Sequence, residues 1–151
     1  MPQSLVQIYV HVIFSTKDRR PFLKESAFRE QLHGYLSGIC RKQDTPSLIV
    51  DGAEDHVHLL CRLGKTKEIA SLIRELKRDS SKWIKRENES LRAFRWQNGY
   101  GAFSVSPSHL HRLEEYIANQ MTHHKRETFQ DEFRRICKKY GVQIDEQYVW
   151  D

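Results

Sequence analysis

His56-Val57-His58 sets two imidazoles two residues apart, inside the run Glu54-Asp55-His56-Val57-His58-Leu59-Leu60. On a strand, alternate side chains project from one face. Both rings then point the same way and can grip a divalent cation from one side, leaving its outer side open to a substrate. Farther along, Tyr116 and Gln120 stand four residues apart, about one helical turn. A phenol and a metal-capable amide therefore share one flank of a helix. A cation beside a phenol oxygen supports metal-assisted nucleophilic attack on an anionic ester. Each fragment alone is weak: a His-hydrophobe-His triplet arises by chance, and a tyrosine at a stripe edge usually only packs its ring there.

The elements that must position these groups follow from periodicity. Residues 5–14 alternate, with Val6, Ile8, Val10, Val12 and Phe14 on one face and Gln7, Tyr9, His11 and Ile13 on the other, a half-buried strand. Lys17, Arg19 and Arg20 fall in a basic loop closed by Pro21. Residues 22–40 read as a helix burying Phe28, Leu32, Tyr35, Leu36 and Ile39, and 48–50 as a short strand ending at an Asp51-Gly52 turn. The next strand puts Val57, Leu59, Cys61 and Leu63 opposite His56, His58, Leu60 and Arg62. Residues 67–85 form an amphipathic helix, with Ile69, Leu72, Ile73, Leu76, Trp83 and Ile84 inward and Arg74, Lys77, Arg78, Lys82 and Lys85 largely outward. A glycine-rich stretch from Trp96 leads into a strand at 102–105. Ser106-Pro107 starts a helix that runs to about His124, with Leu110, Leu113, Ile117 and Met121 as its core stripe. A further helix carries Phe129, Phe133 and Ile136, and an extended tail reaches Asp151.

The order β-α-β-β-α-β plus C-terminal helices predicts an α+β, ferredoxin-like (RRM-like) antiparallel sheet. Helices cover one face and leave the other, with Gln7, Tyr9, His11, His56 and His58, available. At 151 residues the whole chain, 1–151, reads as a single domain. A net charge of +5 and a pI near 9.2 favour an acidic partner, nucleic acid above all. Cys40, Cys61 and Cys137 are widely spaced, which suggests neither a zinc knuckle nor a disulfide framework. With no apolar run near the ~20 residues of a membrane span and no leader pattern, a cytoplasmic location is expected.

Three ordered motifs resemble a known family: His56-Val57-His58, the run from Trp96 to Ser106, and Tyr116-Ile117-Ala118-Asn119-Gln120. The chain resembles the single-tyrosine HUH transposases of small bacterial insertion sequences, which move as single-stranded DNA. The resemblance implies that Tyr116 is the nucleophile and that Gln120 is the third metal ligand beside His56 and His58. Two imidazoles and a neutral amide leave a cation its full charge and several open positions, which suits Mg2+ or Mn2+. It further implies a 5′-phosphotyrosine intermediate with a free 3′-hydroxyl, hairpin-ended single-stranded DNA as partner, and a homodimer whose active site is shared between chains.

Other residues take lesser expected roles. Asp55 orients an imidazole, and His123, on the Tyr116 edge, is a weak candidate for substrate contact. His11 takes a hydrogen-bonded structural role, and His109, His111 and His124 lie on exposed helix surface. Lys17, Arg19, Arg20, Arg74, Lys77, Arg78, Lys82 and Lys85 are expected to contact DNA phosphates. Two other readings stand beside the transposase: a domesticated HUH endonuclease that processes chromosomal hairpins, and a non-catalytic nucleic-acid-binding module.

Overall fold

The computed structural model describes residues 2–151, and Met1 lies outside them. The elements are β1 (Tyr9–Ser15), α1 (Ser26–Lys42), β2 (Ser47–Gly52), β3 (His56–Arg62), α2 (Ile69–Glu87), β4 (Gly101–Val105), α3 (Leu110–Ala118), α4 (Gln120–His123) and α5 (Phe129–Lys139). The strands form one antiparallel sheet in the order β2-β3-β1-β4. This is the α+β plan that the element order predicts. The first strand is shorter than its alternation suggests, because Val6 and Ile8 stay exposed before Tyr9 begins the pairing. The first helix begins later than its apolar pattern, at Ser26, because Phe22 and Leu23 precede it in a turn.

Val10, Val12 and Phe14 of β1 and Val57, Leu59 and Cys61 of β3 pack under α1 and α2. Trp83 of α2 joins the two helices, its ring stacked between Phe28 at 5.2 Å and Tyr35 at 5.0 Å. Such aromatic pairs add roughly 0.5–1.5 kcal/mol each beyond area burial. Cys40, Cys61 and Cys137 are free and buried.

The opposite face is covered, contrary to the sequence expectation. The α5 residues Phe129, Phe133 and Ile136 bury themselves on Ile13 and Phe103, with Val149 and Trp150 packed alongside. The α3 residues Leu110, Leu113 and Ile117 pack on Leu60, Val105 and Ile49. Their amphipathic stripes need an apolar partner, and the second sheet face is the surface that supplies one. The tail therefore folds back rather than trailing away. Gly101 permits this layer: a Cβ there would stand 2.6 Å from Phe133 Cε1.

Candidate functional site

The register of β1 against β3 opposes Ile13 to His58 and His11 to Leu60. His11, His56 and His58 therefore share the face beneath α3, α4 and α5, and all three are buried. Asp55, at the strand entrance, accepts a hydrogen bond from His56 Nδ1 at 2.7 Å. That bond orients the ring so that His56 Nε2 points inward. His11 Nε2 lies 2.8 Å from His58 Nδ1. Burial pushes the His58 imidazole down to about 4 and holds His11 well below its usual range, with each ring lowered further by neighbouring imidazole charge. Both rings are then neutral at physiological pH.

The helix expected from Ser106 to His124 is broken. A short 3-10 turn spans Pro107–His109, α3 ends at Ala118, and Asn119 leaves helical geometry with φ −104° and ψ 23°. Its side-chain amide donates instead to the Glu115 carbonyl at 2.8 Å, a local bond that competes with continuation of the helix. The break turns Gln120 fully inward while Met121, predicted as core, is left 40 % exposed. Gln120 Oε1 stands 3.0 Å from His56 Nε2, and Gln120 Nε2 is buried without a partner. The Tyr116 ring lies 6.1 Å from that of His58, and the His123 ring stacks on it at 4.6 Å. His56, His58, Tyr116, Gln120, Asp55 and His123 thus come together within one chain.

Glu132 and His124 join them, although sequence reasoning passed over the first and placed the second on exposed surface. The His124 side chain is only 10 % exposed, and Glu132 is fully buried. Glu132 Oε1 is 3.0 Å from both His58 Nε2 and His124 Nε2, and 3.5 Å from His56 Nε2. Its other oxygen accepts the Tyr116 hydroxyl proton. Burial pushes the Glu132 carboxyl up, but hydrogen bonds from His124 and His58 outweigh it and hold the carboxyl far below its usual range. Burial lowers His124, and the Glu132 bond and charge reverse this into a net rise. The resting cluster is therefore a carboxylate that accepts from His124 Nε2 and from neutral His58 through its Nε2. The missed signal is readable afterwards. Glu132 stands three residues after Phe129 on the Phe129, Phe133, Ile136 stripe, where a charge belongs only if it has a buried partner.

Tyr116 is held from two sides. Burial and the Glu132 charge raise its phenol above the ordinary value, while Arg135 opposes them. Arg135 Nη2 donates to Tyr116 Oη at 2.8 Å and to Glu127 Oε1 at 2.6 Å. Beside Tyr116 opens a cavity of about 550 Å³ lined by His109, Arg112, Arg135 and Lys139 among others. His56, His58, His124 and Glu132 each offer a ligand atom, all within 4.8 Å of one another, so the cluster is able to hold a metal ion.

The predicted basic residues divide. Lys77 turns its ammonium onto the carbonyls of Gln97, Asn98 and Gly99 at 2.7 to 3.1 Å, and burial lowers it to about 8. Arg78 pairs with Glu75 and Asp79. Arg19 donates to the Trp150 carbonyl, and Arg20 lies over Phe22. Lys17 is half-buried in its turn, whereas Arg74, Lys82 and Lys85 are exposed. Arg74, Arg78 and Lys85 line a cavity of about 450 Å³ with Arg95 and Tyr100. Because α2 packs on the Val12 face, this basic helix lies across the sheet from the histidines rather than beside them.

The family model described as "Transposase IS200 like" matches residues 4–120. A candidate transposase from Deinococcus radiodurans R1 superimposes with a TM-score of 0.65 at 22 % identity, covering 80 % of this chain and 95 % of that one. A REP-associated tyrosine transposase bound to a REP hairpin gives a TM-score of 0.60 at 14 % identity, covering 82 % and 73 %. At these identities the structural likeness speaks for the fold. No protein of curated function matches the sequence. Among the described residues, no helix is long and apolar enough to cross a membrane.

Proposed function

The chain belongs to the IS200-like transposase family of DNA-processing enzymes, and on that premise we propose that residues 1–151 act as one HUH domain that cuts and rejoins single-stranded DNA through Tyr116. The observation that carries the reading is the convergence of Tyr116 and Gln120 on His56 and His58 within a single chain. The donor set fits a divalent cation. Gln120 Oε1 faces His56 Nε2 at 3.0 Å, and the Gln120 amide nitrogen is buried without a partner, an orphaned polar group beside the imidazoles. His56, His58 and Gln120 would hold Mg2+ or Mn2+. Such an ion supplies Lewis-acid charge neutralisation at a scissile phosphate.

The remaining work belongs to the chain. The cavity bounded by Arg112, Arg135 and Lys139 draws the phosphodiester towards Tyr116. Arg135, already bonded to Tyr116 Oη, stabilises the phenolate as the proton leaves. The Tyr116 oxygen bonds to phosphorus, the bond from phosphorus to the 3′-oxygen breaks, and that oxygen takes up a proton. The products are a 5′-phosphotyrosine and a free 3′-hydroxyl. A 3′-hydroxyl from another strand then attacks the phosphotyrosine, rejoins the DNA and returns the tyrosine without ATP. Asp55 fixes the His56 tautomer, and His123 steadies the phenol by stacking. Exposed Arg74, Lys82 and Lys85 bind flanking phosphates on the far face of the sheet, together with Lys17, Arg19 and Arg20 at the loop.

Hairpin-bearing single strands are the proposed substrate, and the likeness to a transposase bound to a REP hairpin supports this. The same likeness favours a second reading, a domesticated enzyme that processes chromosomal hairpin repeats with the same chemistry. Flanking hairpins and copy number in the genome separate the two. A homodimer that exchanges α3 would use the same contacts between copies. The test is to incubate the protein with labelled hairpin-bearing single-stranded DNA and Mn2+, then look for a denaturation-resistant adduct. Tyr116→Phe should abolish the adduct and retain binding. An adduct formed by that variant refutes the nucleophile assignment, and DNA binding with no adduct from the wild type favours a non-catalytic module.

A further inference from the structure

Resting on the metal reading above, we propose that His124 and Glu132 are additional metal ligands, so that a divalent transition-metal ion fastens α5 over His56, His58 and Gln120. Both residues lie beyond the segment matched by the family model, and neither is needed for the three-ligand site. Several separations nevertheless match those between neighbouring ligands of one ion, within a cluster whose four ligand atoms lie within 4.8 Å of one another. Two ligands at right angles, each about 2.1 Å from one ion, stand about 3 Å apart. Glu132 Oε1 is 3.0 Å from His58 Nε2, 3.0 Å from His124 Nε2 and 3.5 Å from His56 Nε2. Gln120 Oε1 and His56 Nε2 are 3.0 Å apart. The His56 and His124 rings approach to 4.2 Å between centroids.

The enlarged donor set changes which ion is preferred. Three imidazoles, one carboxylate and one amide oxygen make a nitrogen-rich site. Mg2+ favours oxygen donors and keeps its waters, whereas Mn2+ and the later first-row ions accept imidazole readily. Glu132 is the link of mechanical consequence. Its backbone belongs to α5, which meets the sheet through the apolar contacts of Phe129 and Phe133 and the Glu132–His58 hydrogen bond. A metal–carboxylate bond would convert those contacts into a fastened joint beside Tyr116, whose hydroxyl shares the same carboxylate.

Mn2+ binding to the full chain, read from the loss of the free-ion paramagnetic resonance signal, tests this without DNA. Glu132→Gln and His124→Gln should each weaken Mn2+ binding at least ~10-fold, since even groups that merely orient ligands change affinity 10–100-fold. Hydrogen exchange gives a second readout: Mn2+ should slow exchange of the α5 amides in the wild type and not in Glu132→Gln, and equal Mg2+ should slow it far less. If Glu132→Gln does not fold, His124→Gln with the wild-type exchange comparison decides. Unchanged Mn2+ affinity in the variants, with α5 exchange indifferent to metal, overturns the proposal and leaves Glu132 as an ion-pair partner only. A wild type that binds no Mn2+ at all instead removes the underlying three-ligand reading.

Discussion

In metal-free buffer, Glu132→Gln should destabilise the protein in a pH-dependent way. The carboxylate is fully buried and accepts from His58, His124 and Tyr116. A neutral amide keeps one acceptor oxygen, loses the ion pair with His124, and turns an NH2 group towards donors. Hydrogen bonds to charged groups are worth roughly 1.5–3 kcal/mol, and breaking a buried pair typically costs about 3–5 kcal/mol. A loss of about 3–4 kcal/mol near pH 6 follows, or roughly 6–15 °C in Tm for a chain of this size. The sign with pH is fixed by the two shifted groups. The Glu132 carboxyl is depressed, so its contribution is present above the ordinary carboxylate value near ~4.3 and is lost as pH falls through the folded value. His124 is raised, so its contribution is complete below about 6.5 and is lost as pH rises through the folded value. The gap between wild type and variant should therefore be widest between roughly pH 5 and 6.5. As pH rises through the folded His124 value it should shrink towards the ~1–2 kcal/mol of neutral hydrogen bonds. Urea unfolding with chelator at pH 5.5, 7 and 8.5 measures it. A gap that grows with pH, or no gap at any pH, would refute the assigned pair.

Gly52→Ala should cost ~3 kcal/mol or more by overpacking, because its Cβ would meet the His56 backbone oxygen at 2.2 Å; urea unfolding reads the loss, and Mn2+ affinity should fall with it. Lys77→Ala should lower stability by about 1–3 kcal/mol, since three carbonyls lose their donor, while the salt dependence of DNA binding stays unchanged. Lys82→Ala with Lys85→Ala should do the reverse, weakening binding uniformly across sequences and reducing the salt slope by about 2 in a fluorescence-anisotropy titration. With the Tyr116 phenol raised, adduct formation should accelerate from pH 6 to 9. Arg135→Ala should move that rise to higher pH, with partial recovery in Arg135→Lys; an unmoved profile would exclude Arg135 from phenolate stabilisation.

Period-two alternation was enough to set His56 and His58 on one face of β3, because strand geometry leaves no other outcome once the register is kept. The sequence also marked Tyr116 and Gln120 as candidates, although the helix expected to align them breaks at Asn119, and the order of elements carried the sheet plan. His11 was legible in part, since its strand face made a hydrogen-bonded role the natural one and its ring does meet His58. What a chain of letters does not encode is which face of one element meets which face of another. The covering of the second sheet face by α3 and α5 arose only when their stripes found Ile13, Phe103 and Leu60. The Asn119 break, which buries Gln120 and releases Met121, depends on a local side-chain bond that periodicity ignores. The two imidazoles at positions 56 and 58 were therefore determined by sequence. Their neighbours His124 and Glu132 were decided by tertiary packing, because burial of a charge is set by partners brought from distant parts of the chain.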